Sequence, residues 1–278
     1  MKPVAVWVLA GSVAVVVFAG EQIPAHDLSA DEIVQKNVDA RGGLDAWRKV
    51  QTMIWSGHVD SANAPAPDLP FVLAMKRPNK TRFEVTVYNQ KSVRVFDGRQ
   101  GWKLGPNGMG SATPRPYSMD EATSARDEQV IDGLLIDHEA KGVTVTLEGK
   151  DQVGGRDAYR LAAKLPSGVI RHVWIDAQTF LDVQVDRQVR TPRGQTVVVD
   201  VNYSDFRSVE GLQIPLEIES GAPASDKKDK LTIDKVSLNP ALDDGIFTRP
   251  APPQMHRKSV SIDVDASPAL PGAGHPSP

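Results

Sequence analysis

Apolar and polar positions alternate with period two over most of this chain. Phe83, Val85 and Val87 alternate with Arg82, Glu84 and Thr86, and Val143, Val145 and Leu147 with Thr144, Thr146 and Glu148. Leu181, Val183 and Val185 alternate with Asp182, Gln184 and Asp186, and Ile214, Leu216 and Ile218 with Pro215, Glu217 and Glu219. Leu231 and Ile233 continue the habit, and a further strand is read over 52–60. This rhythm marks strands with one apolar face and one wet face. The strands follow one another through short turns, so they must pair antiparallel. Asp97-Gly98, between Phe96 and Trp102, is a hairpin signal, because both turn residues accept positive φ. Gly154-Gly155, Thr191-Pro192-Arg193-Gly194 and Glu210-Gly211 punctuate the rest.

Helical spacing is confined to a few segments. Ser29-Ala30-Asp31-Glu32 reads as a capping box, with Ile33, Val34, Val38 and Arg41 on the following helix and Gly42-Gly43 ending it. A short turn follows, with Leu44, Trp47 and Val50 on one stripe. A second capping box, Ser118-Met119-Asp120-Glu121, predicts a helix over 119–136, in which Gly133 costs about 1 kcal/mol relative to alanine. The expected fold is therefore mostly β with a few helices (α+β). Its curled antiparallel sheet is too wide for those helices to cover fully. An apolar concavity left partly unfilled suits a lipid-like ligand. A sandwich that fills its own interior is the other reading, and the pattern does not separate the two.

Composition narrows the class. Lys2 followed by an apolar run over 4–18 and small residues before Gly20 has the layout of a secretory signal peptide, residues 1–19. The run falls short of the roughly 20 residues a spanning helix needs. The chain has no cysteine, so neither a lipoprotein cleavage site nor a disulfide framework is available. The fold must rest on its hydrophobic core. A net charge of −3, or −4 once Lys2 leaves with the signal, argues against nucleic acid as a partner. Residues 251–278 are rich in Pro, Ser and Ala without period and are expected to form a disordered tail, leaving 20–250 as the domain.

The search for chemistry returns little. Asp137-His138-Glu139 points its side chains in different directions and has no second ligand pair at zinc-like spacing. His58 with Asp60, and His172 with Trp174, lie two apart on strands, as ordinary polar faces also do. Gly105-Pro106-Asn107-Gly108-Met109-Gly110 has the wrong order for a phosphate loop. There is no G-x-S-x-G elbow and no thiol nucleophile. Asp243-Asp244 reads as a cap or exposed pair, and the tryptophans as core or lip residues. No enzyme activity, metal or cofactor is expected.

Several segments together resemble a known family. Ala30-Asp31-Glu32-Ile33-Val34, Ala40-Arg41-Gly42-Gly43 and Trp47 are similar to the start of mature LolA/LolB-like outer-membrane lipoprotein-sorting proteins. Val95-Phe96-Asp97-Gly98 with Gly101-Trp102, and the run 153–161 with Trp174-Ile175-Asp176 and Leu181, look like their hairpins. So does Tyr203-Ser204-Asp205-Phe206-Arg207 with Val209-Glu210-Gly211-Leu212 and Pro215. The resemblance implies a LolA-like incomplete β-barrel with helices over its concave face, binding acyl chains of lipoproteins or other lipids in the periplasm of a Gram-negative bacterium. A regulatory or scaffold module of the same fold, with a membrane-protein partner, is the alternative. The expected cavity residues are Phe83, Val85, Val87, Val183, Val185, Val199 and Val201, facing it from neighbouring strands.

Cleavage after Ala19 should release a product that begins at Gly20. Intact-mass analysis of protein recovered from a periplasmic extract checks this, and retention of Met1 in a membrane fraction would contradict it.

Overall fold

The structure, a computed structural model, describes residues 27–252 except 62–63, 65, 106–112, 129–130, 191–194 and 224. The signal segment, nearly all of the tail and most of the glycine-rich loop at 105–110 lie outside the described residues.

Both capping boxes form. The Ser29 hydroxyl accepts from the Glu32 amide at 3.3 Å while the Glu32 carboxylate accepts from the Ser29 amide at 2.8 Å, opening helix α1 (Ala30–Ala40). Gly42, at φ +109°, turns the chain into α2 (Leu44–Lys49). A Cβ at Gly42 would also press on the carbonyl of Gly211, so the position needs glycine twice over. Ser118 repeats the capping box on α3, but this helix stops at Asp127 (Met119–Asp127) instead of running to 136. Residues 131–142 form turns, with Gly133 at φ +76° and Asp137 at φ +53°. These left-handed residues interrupt any continuous helix.

The strands are β1 (Thr52–Ser61), β2 (Leu69–Lys76), β3 (Lys80–Val87), β4 (Gln90–Phe96), β5 (Gly101–Leu104) and β6 (Arg115–Pro116). After α3 come β7 (Thr144–Val153), β8 (Arg156–Lys164), β9 (Ile170–Asp176), β10 (Asp182–Arg190), β11 (Thr196–Val209), β12 (Leu212–Gly221) and β13 (Asp229–Leu238). All thirteen join one antiparallel sheet in the order β6-β5-β4-β3-β2-β1-β13-β12-β11-β10-β9-β8-β7. It is two meanders joined where β1 pairs with β13, Met53 opposite Leu238. A bulge interrupts that pairing at Ser56/Gly57, where a side chain on Gly57 would collide with the carbonyl of Thr232. The sheet is curled and unclosed, with β6 and β7 at its two edges.

This topology dictates the next feature. The chain leaves one meander at β6 and enters the other at β7, so residues 117–143 must travel from one sheet edge to the other across a face. They cross the inner face. Ile131, Leu134, Leu135, Ile136 and Val143 pack there with Ile33, Val34, Val38, Trp47, Met53, Met75, Leu161, Val173, Ile175 and Ile214. Burial of each large apolar side chain contributes roughly 1.5–3 kcal/mol. The outer face has its own small core. A 3-10 turn (Asp244–Phe247) after β13 seats Phe247 against Ala74 and Val95, and Asp244 bridges Lys76 and Lys80 at 2.7 and 3.0 Å.

The crossing segment is tied down by Asp132, whose side chain is 3% exposed. Its carboxylate accepts from Arg77 at 2.5 Å and from Lys141 at 2.6 Å, and its carbonyl accepts from Arg41 at 2.9 Å. Burial pushes the Lys141 ammonium below its ordinary pKa, and the Asp132 charge works against that. Removing one member of such a group leaves buried charge uncompensated, at a cost of about 3–5 kcal/mol. Asp132→Ala should lower unfolding free energy by about that amount in urea titrations. Arg48→Ala breaks a pair with Asp137 in which the arginine side chain is 55% exposed, and should cost no more than about 1 kcal/mol. Equal losses in the two variants would contradict this reading.

Candidate functional site

The helices and the crossing segment do not use up the inner face. Ladder partners place Phe83 beside Leu73 and Val85 beside Phe71, so Phe83, Val85 and Val87 share the face that carries Met75 and Met53. The rings of Phe71 and Phe83 lie 5.7 Å apart. Phe71 and Ile233 both oppose Gly57, Leu69 and Leu231 both oppose Val59, and Ile218 opposes Leu231 and Tyr203. Val185 opposes Val201 on one side and Val173 on the other, and Val199 opposes Arg187. These positions form one apolar band on the inner face, from β3 through β2, β1, β13, β12 and β11 to β10. Phe83, Val85, Val87, Val185 and Val199 are half-buried, whereas Val201 is buried.

The expected cavity residues thus share a face but not a neighbourhood. The β3 group and the β10–β11 group are separated by β2, β1, β13 and β12, so the expectation of neighbouring strands is corrected. Val183 is buried and sits where the β10–β9 register shifts between Asp182 and Gln184. Period-two counting cannot fix its face at such a shift. Sequence reasoning passed over Leu69, Phe71 and Leu73, which lie in an unbroken apolar run, 69–75, where period two gives no face. It used Ile218, Leu231 and Ile233 only to find strands.

A polar cluster sits at the β9–β11 end of the band and was not anticipated. Arg171 lies across from Ala163, and Arg187 across from Val199. Both reach toward Glu128, at the end of α3, with guanidinium nitrogens 3.8 and 3.9 Å from one carboxylate oxygen. Arg41 pairs with Asp182 at 3.0 Å and lies over the Trp47 ring at 4.8 Å. Asn37 donates to the same Asp182 at 3.3 Å. Tyr203 stands among these groups. Burial first, then the charges of Asp182 and Glu128, push its phenol above its usual pKa. Arg171 and Arg187 occupy polar-looking positions in the sequence, and only the register shows that they share the apolar face, whereas Arg41 reaches the cluster from the end of α1.

The other candidates hold structural posts. His58 pairs with Asp234 at 2.9 Å and His172 with Asp186 at 2.6 Å. Asp137 pairs with Arg48, and the His138 ring bonds the carbonyl of Val143 at 3.0 Å. Asp243 caps the 3-10 turn by accepting from the Gly245 amide at 2.6 Å. Trp47 is fully buried in the main core, while Trp55 and Trp102 pack at the margins of the inner and outer cores.

Helix α3 is pinned over the β4–β5 side of the sheet by Glu121. Its carboxylate accepts from Lys103 at 2.8 Å, from Arg94 at 3.1 Å and from the Ser118 amide at 2.9 Å. Burial pushes this carboxyl up, but the hydrogen bonds from Lys103, Ser118 and Arg94 outweigh it and bring it to about 2.

No protein-family model matches the chain, and no curated protein matches it in sequence. Solved structures do match the fold. One is a LolA superfamily protein from Nitrosomonas europaea, 15% identical over 80% of this chain and 98% of that one, with a TM-score of 0.52. Another is a DUF1329 family protein from Desulfovibrio piger, 14% identical over 79% and 97%, with a TM-score of 0.50. The fold is LolA-like: an incomplete, mostly β barrel carrying a few helices.

Because the Glu121 carboxyl is depressed in the folded state, its contribution is complete above about pH 4.5 and is lost as pH falls toward about 2. Stability of the wild-type chain should therefore fall more steeply across that window than stability of Glu121→Gln. Urea titrations at stepped pH measure the two slopes, and parallel curves would show that the α3 anchor contributes nothing.

Proposed function

We propose that this protein is a periplasmic lipid- or lipoprotein-binding protein that carries or sorts acyl chains toward the outer membrane, and that it works by binding rather than catalysis. The observation that carries the reading is the apolar band that crosses seven strands of the inner face, buried at Leu69, Phe71, Ile233 and Val201 but half-buried at Phe83, Val85 and Val87 on one side and Val185 and Val199 on the other. A mostly β protein of this size ordinarily covers such a face with its own side chains. Here the helices and the crossing segment pack on part of it, leaving Phe83, Val85, Val87 and Val199 half-buried. The LolA-like fold and the family resemblance of the sequence support the same reading.

Reversible burial of acyl chain supplies the energy. At about 0.8 kcal/mol per methylene, a chain of ~15 methylenes gives a gross ~12 kcal/mol. Association and ordering cost several kcal/mol, and the remainder permits release. A ligand on the inner face leaves the sheet hydrogen bonds intact, because the elements that lie on that face, α1, α2 and the segment from β6 to β7, are held there by side chains.

A charge on the band cannot be hydrated once an acyl chain covers it, and an unpaired buried charge costs several kcal/mol. Val85→Arg should weaken uptake of a fluorescent fatty-acyl probe at least about tenfold, a loss of about 1.4 kcal/mol or more. The outer-face control must avoid Glu84, which is engaged by Arg82 and Lys91. Val72→Arg serves instead, since Val72 is exposed and lies opposite Glu84, and it should bind normally. Circular dichroism establishes that both variants are folded. If folded, lipid-stripped wild-type protein takes up no probe at micromolar concentration, the carrier reading fails and the partner-binding module becomes the better account.

A further inference from the structure

We propose that the inner face selects acyl ligands bearing an anionic headgroup, a carboxylate or a phosphate, and that Arg171 and Arg187 receive it; this rests on the lipid-binding reading above. Three observations converge. The Arg171 side chain is 10% exposed, yet its nearest carboxylate, Glu128, stands 3.8 Å away, beyond hydrogen-bond reach. Arg187 approaches the same oxygen at 3.9 Å. Among the described residues, the Nε atoms of both arginines are buried without a hydrogen-bond partner.

A buried guanidinium with no close acceptor, as in Arg171, is costly and is ordinarily paired, whereas the Arg187 side chain is 40% exposed with only its Nε buried. Among the described residues, Tyr203 is surrounded by Arg41, Arg187, Asp182 and Glu128, and Arg171 joins through Glu128, so three guanidiniums stand against two carboxylates. Asp182 is taken by Arg41 at 3.0 Å. Arg171 and Arg187 are left to share Glu128, so the pocket keeps a positive excess. The planar fork of arginine matches two-oxygen acceptors such as carboxylate and phosphate.

Position makes the excess specific for an amphiphile. Arg187 lies opposite Val199 and two residues beyond Val185, which opposes Val201. In strand order the cationic pair stands at the β10–β9 end of the band, while along β10 the apolar strip continues past Arg187 to Val189, which opposes Val197. An acyl chain along Val185, Val201 and the positions beyond would present its polar end to Arg171 and Arg187. The group that partly neutralises them, Glu128, belongs to the segment that crosses the mouth.

Dodecanoate, dodecyl phosphate and 1-dodecanol, each competing against a fluorescent acyl probe at about pH 8, separate the terms. Binding of at least one anion about tenfold or more tighter than the alcohol is expected, and the preferred anion names the headgroup. In the Arg171→Gln/Arg187→Gln variant that anion should bind no tighter than the alcohol, whose own affinity stays unchanged. Equal affinity of the wild-type protein for anions and alcohol would overturn the inference while leaving lipid binding intact. A parallel loss of alcohol and anion in the variant would overturn it too. Binding of none of the three removes the lipid reading and this inference together. If the variant fails to fold, the wild-type salt dependence decides. Raising salt from about 0.02 to about 0.5 M should weaken the anion alone, and identical salt responses would refute the proposal.

Discussion

The structure depends on one topological constraint. A sheet made of two meanders, joined through its first and last strands, leaves its connecting segment between opposite edges. That segment has to run across a face, and the face it takes becomes an interior. A crossing of this kind brings backbone polar groups over an apolar surface, where unpaired groups are expensive. Asp132 resolves much of the problem at one point. Its carboxylate gathers Arg77 from the β2–β3 turn and Lys141 from the far side of the segment, and its carbonyl takes Arg41 from the end of α1. Three parts of the fold are thus held by one buried acidic residue.

The same constraint explains why the inner face is divided. Helix α1 and residues 131–143 pack together on the residues around Met53, Met75, Leu161 and Ile175, and that part becomes a closed core. Thirteen strands offer far more apolar area than one helix, a short turn and a crossing segment can cover. Toward its two sides, at Phe83, Val85 and Val87 and at Val185 and Val199, the remainder stays half-buried on strands that the sheet ladder already satisfies. On the proposed reading, such a surface would take and release an apolar ligand without cost to the backbone, so that a rigid sheet carries an adaptable face.

Much of this was legible in the sequence, and the exceptions have causes. The capping boxes at Ser29 and Ser118 were legible because their contacts are three residues apart and local chemistry decides them. Phe83, Val85 and Val87 were legible because alternation on a regular strand fixes the face. The helix over 119–136 was not, since a capping box announces a start and says little about the stop, which falls at Asp127 where Glu128 turns extended, and left-handed Gly133 and Asp137 bar any continuation to 136. The face of Val183 was hidden by a register shift, a property of a pair of strands rather than of one. The distance between β3 and β10 was hidden because period two reports facing and never strand order. Arg171 and Arg187 were hidden for a related reason: a polar residue on an amphipathic strand reads as outward until the ladder shows otherwise.

That last case bears on how one fold takes on different ligands. The ladder and the apolar band are generic consequences of alternation, and many sequences satisfy them. The placement of charge on the inward face is not generic, because it opposes the hydrophobic pattern and costs stability wherever it is not compensated. Here the partial compensation comes from Glu128, which sits at the end of α3 on the crossing segment rather than on the sheet. An anion entering beside Arg171 and Arg187 competes with Glu128 for the same cations. On the proposed reading, such a headgroup would weaken the long ion pairs that Glu128 makes with both arginines, while Asp132 keeps its own anchors. On that same reading, ligand charge and segment position would be coupled through these two arginines, and a neutral chain would have no equivalent hold on the segment.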